Sequence, residues 1–295
     1  MTAPVRELPE LWVEVAPPRG IVAGPLLERL AALRGVAGLN LTDNAMGRVR
    51  MSALAFAALV RNRIGLPVML NFTCRDRNLL ALRSDLIGAA ALGVEAVVAL
   101  AGDRLPAGTG VRGVYEVDAA GLLRAIGALN RGDAGQGYAP LRTPLGLLAG
   151  AACNPNRADW RRELELLERK AAAGARFLIT QPVFDPGPAL RILEGARRLA
   201  LPVFLGILPI KSAAMARYLR ERIRELQPAA AHLERYESLS DAQARRWSLA
   251  RCRELMQTLA PHAAGFVIMS GGGPALAIEL ALDCARRSLP AGVPL

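Results

Sequence analysis

Residues 67–103, PVMLNFTCRDRNLLALRSDLIGAAALGVEAVVALAGD, contain one complete strand–helix–strand unit. "PVMLNFT" (67–73) and "AVVALAG" (96–102) are short apolar runs of the kind that form strands. Between them, "NLLALRSDLIGAAALG" (78–93) spaces its apolar residues near the 3.6-residue period of a helix. Apolar strands that do not alternate with polar residues are buried on both faces, as in parallel sheets covered by helices.

The same unit recurs on either side. "LWVEV" (11–15), "GLNLT" (38–42), "LGLLAGAA" (145–152), "FLITQPV" (177–183), "PVFLGIL" (202–208) and "GFVIMS" (265–270) are further strand-like runs separated by helical patterns. Eight such units predict the α/β class and a closed (β/α)₈ TIM barrel. No composition break divides the chain, so residues 1–295 are expected to form a single domain, with an extra helical insertion at about 213–260. Gly and Pro punctuate the turns into strands 3, 6, 7 and 8, whereas polar residues collect at the opposite strand ends. In this fold the second end is the working face.

The net charge of +11 comes almost entirely from Arg, with Lys170 and Lys211 the only lysines. The arginines are interleaved with acids in helical segments such as "RERIREL", which reads as solvated helix faces and argues against a nucleic-acid partner. "MTAPVRELPE" lacks the layout of a signal peptide, and no apolar run approaches membrane-spanning length. Cys74, Cys153, Cys252 and Cys284 form no CxxC pair, so reduced thiols and a cytoplasmic location are expected. With two histidines in the chain, no metal set is predicted.

Six predicted strand ends converge on one mouth, bringing Glu14, Thr42, Asn71, Asp103, Asn154 and Gln181 together. Glu14 stands out because a carboxylate in an apolar strand is costly unless it is hydrogen-bonded or functional, and burial raises its pKa towards a general acid's range. Asp103 follows Gly102 at the end of strand 4, where a turn role and a ligand role both fit. Asp76 and Arg77 are expected to pair with each other or cap the next helix. Gln181 can both donate to and accept from a heterocycle. Without a metal set or a Ser/His/Asp or Cys/His pair, this mouth suits a nitrogen heterocycle and proton or hydride chemistry.

"VEVAPP", "LTDNAMGRVRMSALA", "CRDRNLLALRSDLIGAAALGVEAVVALAGD", "VYEVDAAGLLRAIGALNRG", "GAACNPN", "ERKAAAGARFLITQPVFD" and "PVFLGILPI" together resemble the methylenetetrahydrofolate reductase family, in order from about residue 11 to 212. The likeness is greatest to the type fused to homocysteine S-methyltransferases. It implies a TIM barrel holding FAD, with NADH or NADPH as donor, that reduces 5,10-methylenetetrahydrofolate to 5-methyltetrahydrofolate in one-carbon metabolism and methionine biosynthesis. On this resemblance Glu14 is the acid on the folate, and Asp103 acts on the flavin and the iminium cation. Thr42, Asn71, Ala101, Gly102, Ala152, Asn154, Glu163 and Lys170 sit where the family contacts FAD, and Gln181, Met215 and Leu219 sit where it holds substrate. The resemblance also allows a homo-oligomer or a partner subunit.

The chain departs from the family's pattern in four places. Asn71 replaces a His, the first strand lacks "FEFFPP", Met215 and Leu219 stand for Gln and Phe, and strand 8 ends in "MSGGG". These departures keep open a flavin-free reductase and a non-catalytic folate- or flavin-binding subunit. A corrinoid- or pterin-linked methyltransferase is a further alternative, although no thiolate–zinc cluster supports it.

Overall fold

The computed structural model describes residues 10–223, 235–271 and 273–288. Its strands are β1 (Glu10–Val15), β2 (Gly38–Leu41), β3 (Val68–Thr73), β4 (Ala96–Leu100), β5 (Leu148–Cys153), β6 (Phe177–Pro182), β7 (Val203–Ile207) and β8 (Gly265–Ile268). All pair in parallel in sequence order, and β8 returns to β1 to close the barrel. The expected (β/α)₈ barrel is therefore the architecture observed.

The helices between strands are α1 (Gly24–Ala31), α2 (Ala53–Ile64), α3 (Leu79–Ala91), α4 (Ala119–Leu129), α5 (Trp160–Ala172) and α6 (Pro186–Arg198). Beyond β7 come α7 (Ala213–Arg222) and α8 (Asp241–Leu259), and α9 (Ala275–Ser288) follows β8. Several helices start where a side chain takes an orphan backbone N–H. Asn78, Asp118, Asp159 and Ser212 cap α3, α4, α5 and α7, and Ser240 forms a capping box with Gln243 on α8. Part of the sequence insertion at 213–260 is thus seen as α7 and α8, while residues 224–234 lie outside the described residues.

Side-chain alternation divides the core in two. Val13, Leu39, Leu70, Val97, Leu178 and Leu205 point outwards against the helices. Met69, Val98, Phe177, Ile179 and Val267 fill the barrel, with Trp12 and Phe204 packed against them. With few aromatics available, these rings set the interior spacing. A Cβ on Gly150 would lie 2.2 Å from the Phe177 ring, so the neighbouring strand must carry glycine there. Phe177 in turn meets Phe204 edge-on, with centroids 5.8 Å apart.

At the polar end of the barrel, loops are tied together by a buried arginine. Arg75 follows β3 and is 1% exposed. Its Nε and Nη2 hold the Asp76 carboxylate at 2.5 and 2.8 Å, Nη2 also donates to the Asn44 carbonyl at 3.1 Å, and Nη1 donates to the Asp103 carbonyl at 3.2 Å. Asp76 and Arg77 do not form the mutual pair expected from their adjacency. Arg77 turns the other way, onto Asp43 and Asp85, with its guanidinium over the Phe72 ring, and Asn78 is the residue that caps α3.

Gly150→Val should force Phe177 off its position and lower stability by about 1–3 kcal/mol, read as a fall in the urea midpoint. Phe177→Leu in the same chain should recover part of that loss, because the two sites share one space. Additive effects would show that the contact does not constrain the interior.

Candidate active site

Residues of β1, β2, β3 and β6 that point inwards change from apolar to polar as the strands rise. Trp12 is followed by Glu14, Gly38 by Asn40, Met69 by Asn71 and Ile179 by Gln181. Register places Glu14 beside Asn40, and Asn40 donates to the Asn71 carboxamide oxygen at 3.2 Å. The barrel mouth is therefore lined with amides around one carboxylate. A cavity of about 1040 Å³ opens at the opposite end, among Trp12, Met69, Phe177 and Phe204, but it contains none of these polar groups apart from the rim charges Glu10, Glu95 and Arg176.

Glu14 is held by one backbone donor, the Ser270 N–H just after β8, at 3.3 Å from Oε1. Burial pushes its pKa up from 4.5 to about 7. The Ser270 hydrogen bond pulls in the other direction, and the negative charge of Asp103 adds to the rise. A group with a pKa near 7 keeps a substantial protonated fraction at neutral pH and can release that proton to a base brought beside it.

Asp103 is built differently. Its carboxylate is exposed and accepts the Met46 N–H at 2.6 Å. Its own carbonyl accepts from Arg75 and from the Tyr115 hydroxyl, each at 3.2 Å. Three non-glycine residues around it are left-handed: Asn44 (φ 45°), Met46 (φ 59°) and Tyr115 (φ 46°). Strain of this kind gathers at functional loops. Gly102, at φ 94°, is required twice over, because a Cβ there would lie 2.7 Å from the Arg75 Cβ. The close approach at Gly102 is thus made by Arg75 on one side.

The remaining residues fall into two groups. Thr42 is 5% exposed and its hydroxyl has no hydrogen-bond partner, and the Asn71 amide nitrogen is free to donate. Gln181 is half-buried and has no side-chain partner among the described residues. Ala101 and Ala152 supply backbone and little else. An orphaned hydroxyl, a free amide and the backbone at Ala101–Gly102 fit the hydrogen-bonding edge of a planar nitrogen heterocycle such as a flavin.

The second group is occupied by the protein itself. Glu163 is 1% exposed, accepts the Asn154 N–H at 2.8 Å and pairs with Arg157 Nε at 2.6 Å. Asn154 closes a turn by accepting the Asn156 N–H at 3.0 Å. Lys170 donates to the Ala152 carbonyl at 2.6 Å, and burial lowers its pKa against the opposing influence of Glu163. On α7, Met215 lies against Leu208 beside Gly271, and Leu219 is buried in the apolar cluster under that helix.

Two residues that the sequence did not single out matter here. Arg75 positions the loops, and Tyr218 on α7 reaches Arg48 Nη2 at 3.4 Å and Met46 Sδ at 3.9 Å. Only the left-handed turn around Asn44 and Met46, which the string "DNAMG" could have suggested, pointed to this corner. Gly272, in the glycine run after β8, lies outside the described residues. Among the described residues, no group of three or more His, Cys, Asp or Glu could hold a metal, and no helix is long and apolar enough to cross a membrane. Cys74, Cys153 and Cys252 are buried free thiols.

The chain is 28% identical over 161 residues to a probable methylenetetrahydrofolate reductase (NADPH) of Caenorhabditis elegans, covering 54% of this chain and 23% of that protein. It is 28% identical over 160 residues to 5,10-methylenetetrahydrofolate reductase of Salmonella typhimurium, covering 54% of this chain and 49% of the relative. The chain thus aligns with half or less of the length of these curated relatives. Among solved structures, an uncharacterised Clostridium thermocellum protein that binds two copies of 5-methyl-5,6,7,8-tetrahydrofolic acid shares the fold, with a TM-score of 0.64 at 14% identity over 96% of this chain and 97% of that one. The sequence profile of methylenetetrahydrofolate reductase matches residues 7–267, and the chain belongs to that family.

Proposed function

We propose that the chain reduces 5,10-methylenetetrahydrofolate to 5-methyltetrahydrofolate, with FAD held at the barrel mouth and NADH or NADPH as the electron source. The observation that carries this reading is the pair of carboxylates in unlike environments: Glu14 half-buried in the barrel with its pKa raised to about 7, Asp103 exposed and hydrogen-bonded to a backbone N–H. The methyltetrahydrofolate bound by the Clostridium protein and the NADPH named for the nematode relative support the substrate and donor classes.

Glu14 would donate its proton to N10 of the imidazolidine ring, so that the bond from the methylene carbon to N10 breaks and N5 is left as an iminium cation. Asp103 would lie opposite and stabilise that positive charge, so the acceptor carbon becomes electrophilic at the point of hydride delivery. Gln181 would fix the pterin through its unpartnered amide. Thr42, Asn71 and the Ala101–Gly102 backbone would hold the isoalloxazine edge, with Ala152, Asn154, Glu163 and Lys170 supporting the wall behind it. Bound FAD supplies the hydride to this site.

A flavin-free reductase is the second reading. Glu163 and Lys170 favour it, because both spend their polar atoms on the protein rather than presenting them to a cofactor.

The visible spectrum of the purified protein separates the two. Bound oxidised flavin that bleaches with NADH or NADPH and recovers with methylenetetrahydrofolate is the expected result. A colourless protein that cannot be reconstituted with FAD, yet turns over the folate, supports the second reading. No turnover under either condition favours a binding subunit.

Glu14→Gln should leave flavin reduction intact and lower folate turnover by at least about 100-fold, the usual scale of general-acid catalysis. In the wild type, turnover should fall as pH rises through about 7, where Glu14 loses its proton. The same shift affects stability. The folded state binds this proton more tightly than the unfolded chain, so the contribution is full below about 4.5 and is lost as pH rises through about 7. Urea midpoints of Glu14→Gln relative to wild type should therefore rise between pH 4.5 and pH 8. A constant difference would place the alkaline limb on another group.

A further inference from the structure

Asn40 stands beside Glu14 in register on β2, faces into the barrel and is 2% exposed. Its neighbour in register on β3 is Met69, whose side chain belongs to the apolar interior. The Asn40 carboxamide therefore rises diagonally to Asn71, two residues further along β3, and donates from Nδ2 to Asn71 Oδ1 at 3.2 Å. A buried amide left without a partner is costly, so this bond fixes how the half-buried Asn71 side chain stands.

With its oxygen taken from below, the Asn71 carboxamide has its N–H2 group left for the mouth. Thr42, two residues beyond Asn40, keeps its hydroxyl without a partner, so it does not hold that group. Turning both amides over would preserve the bond between them and aim the Asn71 carbonyl oxygen into the mouth instead. That mouth already holds Glu14 and Asp103, whose charges act on one another. A carbonyl dipole with its negative end towards two carboxylates is disfavoured, whereas an N–H2 group is favoured there. The wall formed by β2 and β3 is thus a donor wall. An oxidised flavin ring offers such a wall carbonyl oxygens and ring nitrogens that accept, against a single ring N–H that donates.

We infer that Asn40 is a positioning residue that fixes the Asn71 carboxamide with its N–H2 towards the mouth, so that the β2–β3 wall receives an acceptor edge of the bound flavin ring. This rests on the flavin reading above. Asn40 lies beneath the ligand and acts only through Asn71. Without Asn40, the Asn71 carboxamide is free to turn between its two orientations, and the ring loses a donor that was set before it bound.

The test is FAD binding to the full chain stripped of flavin, followed by the quenching of flavin fluorescence. Asn71→Leu and Asn40→Leu should each raise Kd by about three- to tenfold, the worth of one neutral hydrogen bond. In the Asn71→Leu background, Asn40→Leu should change Kd by less than about twofold, because the two residues act as a unit. Asn40→Ala takes the place of Asn40→Leu if leucine disturbs the fold, and urea midpoints report stability separately. A spectroscopic readout follows Asn71 itself. In protein carrying isotope-labelled asparagine, its side-chain amide resonances, assigned by their loss in Asn71→Leu, should shift on addition of FAD, and shift less in the Asn40 variant. Additive effects on Kd, an Asn40 variant that binds FAD as tightly as wild type, or Asn71 resonances unmoved while FAD binds would overturn the inference and leave the flavin reading standing. A wild-type chain that takes up no FAD would remove the flavin reading and this inference together.

Discussion

The buried guanidinium of Arg75 is the constraint on which the mouth depends. A charged group at 1% exposure is tolerated only if its N–H groups are taken up. Here they are divided among three loops: Asp76 after β3, the Asn44 carbonyl after β2 and the Asp103 carbonyl after β4. The backbone of the same segment fixes the long loop after β4, since Arg75 and Cys74 carbonyls accept the Val114 and Tyr115 N–H groups. Displacing any of these loops would leave a buried charge short of partners. That penalty explains how Asn44, Met46 and Tyr115 are kept in left-handed conformations that side chains ordinarily avoid. Asp103 is therefore presented at a fixed height with its carboxylate already hydrogen-bonded, and little reorganisation is needed when charge develops beside it.

Glu14 and Asp103 illustrate how one mouth can hold an acid and an anion together. Glu14 rises from a strand within the barrel, has a single backbone donor and faces another negative charge, so all but the Ser270 contact favour its neutral form. Asp103 stands on a loop open to water with a short hydrogen bond to its carboxylate. Exchanging the two positions would lose both properties, because the loop cannot desolvate a carboxylate and the strand cannot solvate one. Separate environments for two similar groups assign the proton to one and the charge to the other.

The barrel was legible in the sequence because parallel strands buried on both faces leave long apolar runs, and the eight observed strands fall within or close to the runs read from residues 11–270. The largest offset is instructive. The run at 145–152 begins as strand only at Leu148, because the Asn130 side chain takes both the N–H and the carbonyl of Leu147 and keeps the preceding residues out of the ladder. Glu14 was legible for the same reason as the strands, as a charge interrupting an apolar run. Arg75 was not, since "CRDR" gives no sign of which arginine turns inwards. Nor did adjacency say which neighbour Asp76 would take: it pairs with Arg75 before it and not with Arg77 after it, which turns to Asp43 on the loop after β2.

The strongly basic composition has different physical meanings in different places. On the helices it is largely local pairing, as between Arg162 and Glu165, Arg198 and Glu194, or Arg251 and Glu254, exposed contacts that contribute little to stability. At the mouth the pairing is vertical. Arg77, Arg75 and Arg157 take Asp43, Asp76 and Glu163, and the Met46 N–H takes Asp103, so these acids are engaged in holding the loops together. Glu14, which has no arginine partner among the described residues, is the carboxyl whose pKa is raised, to about 7.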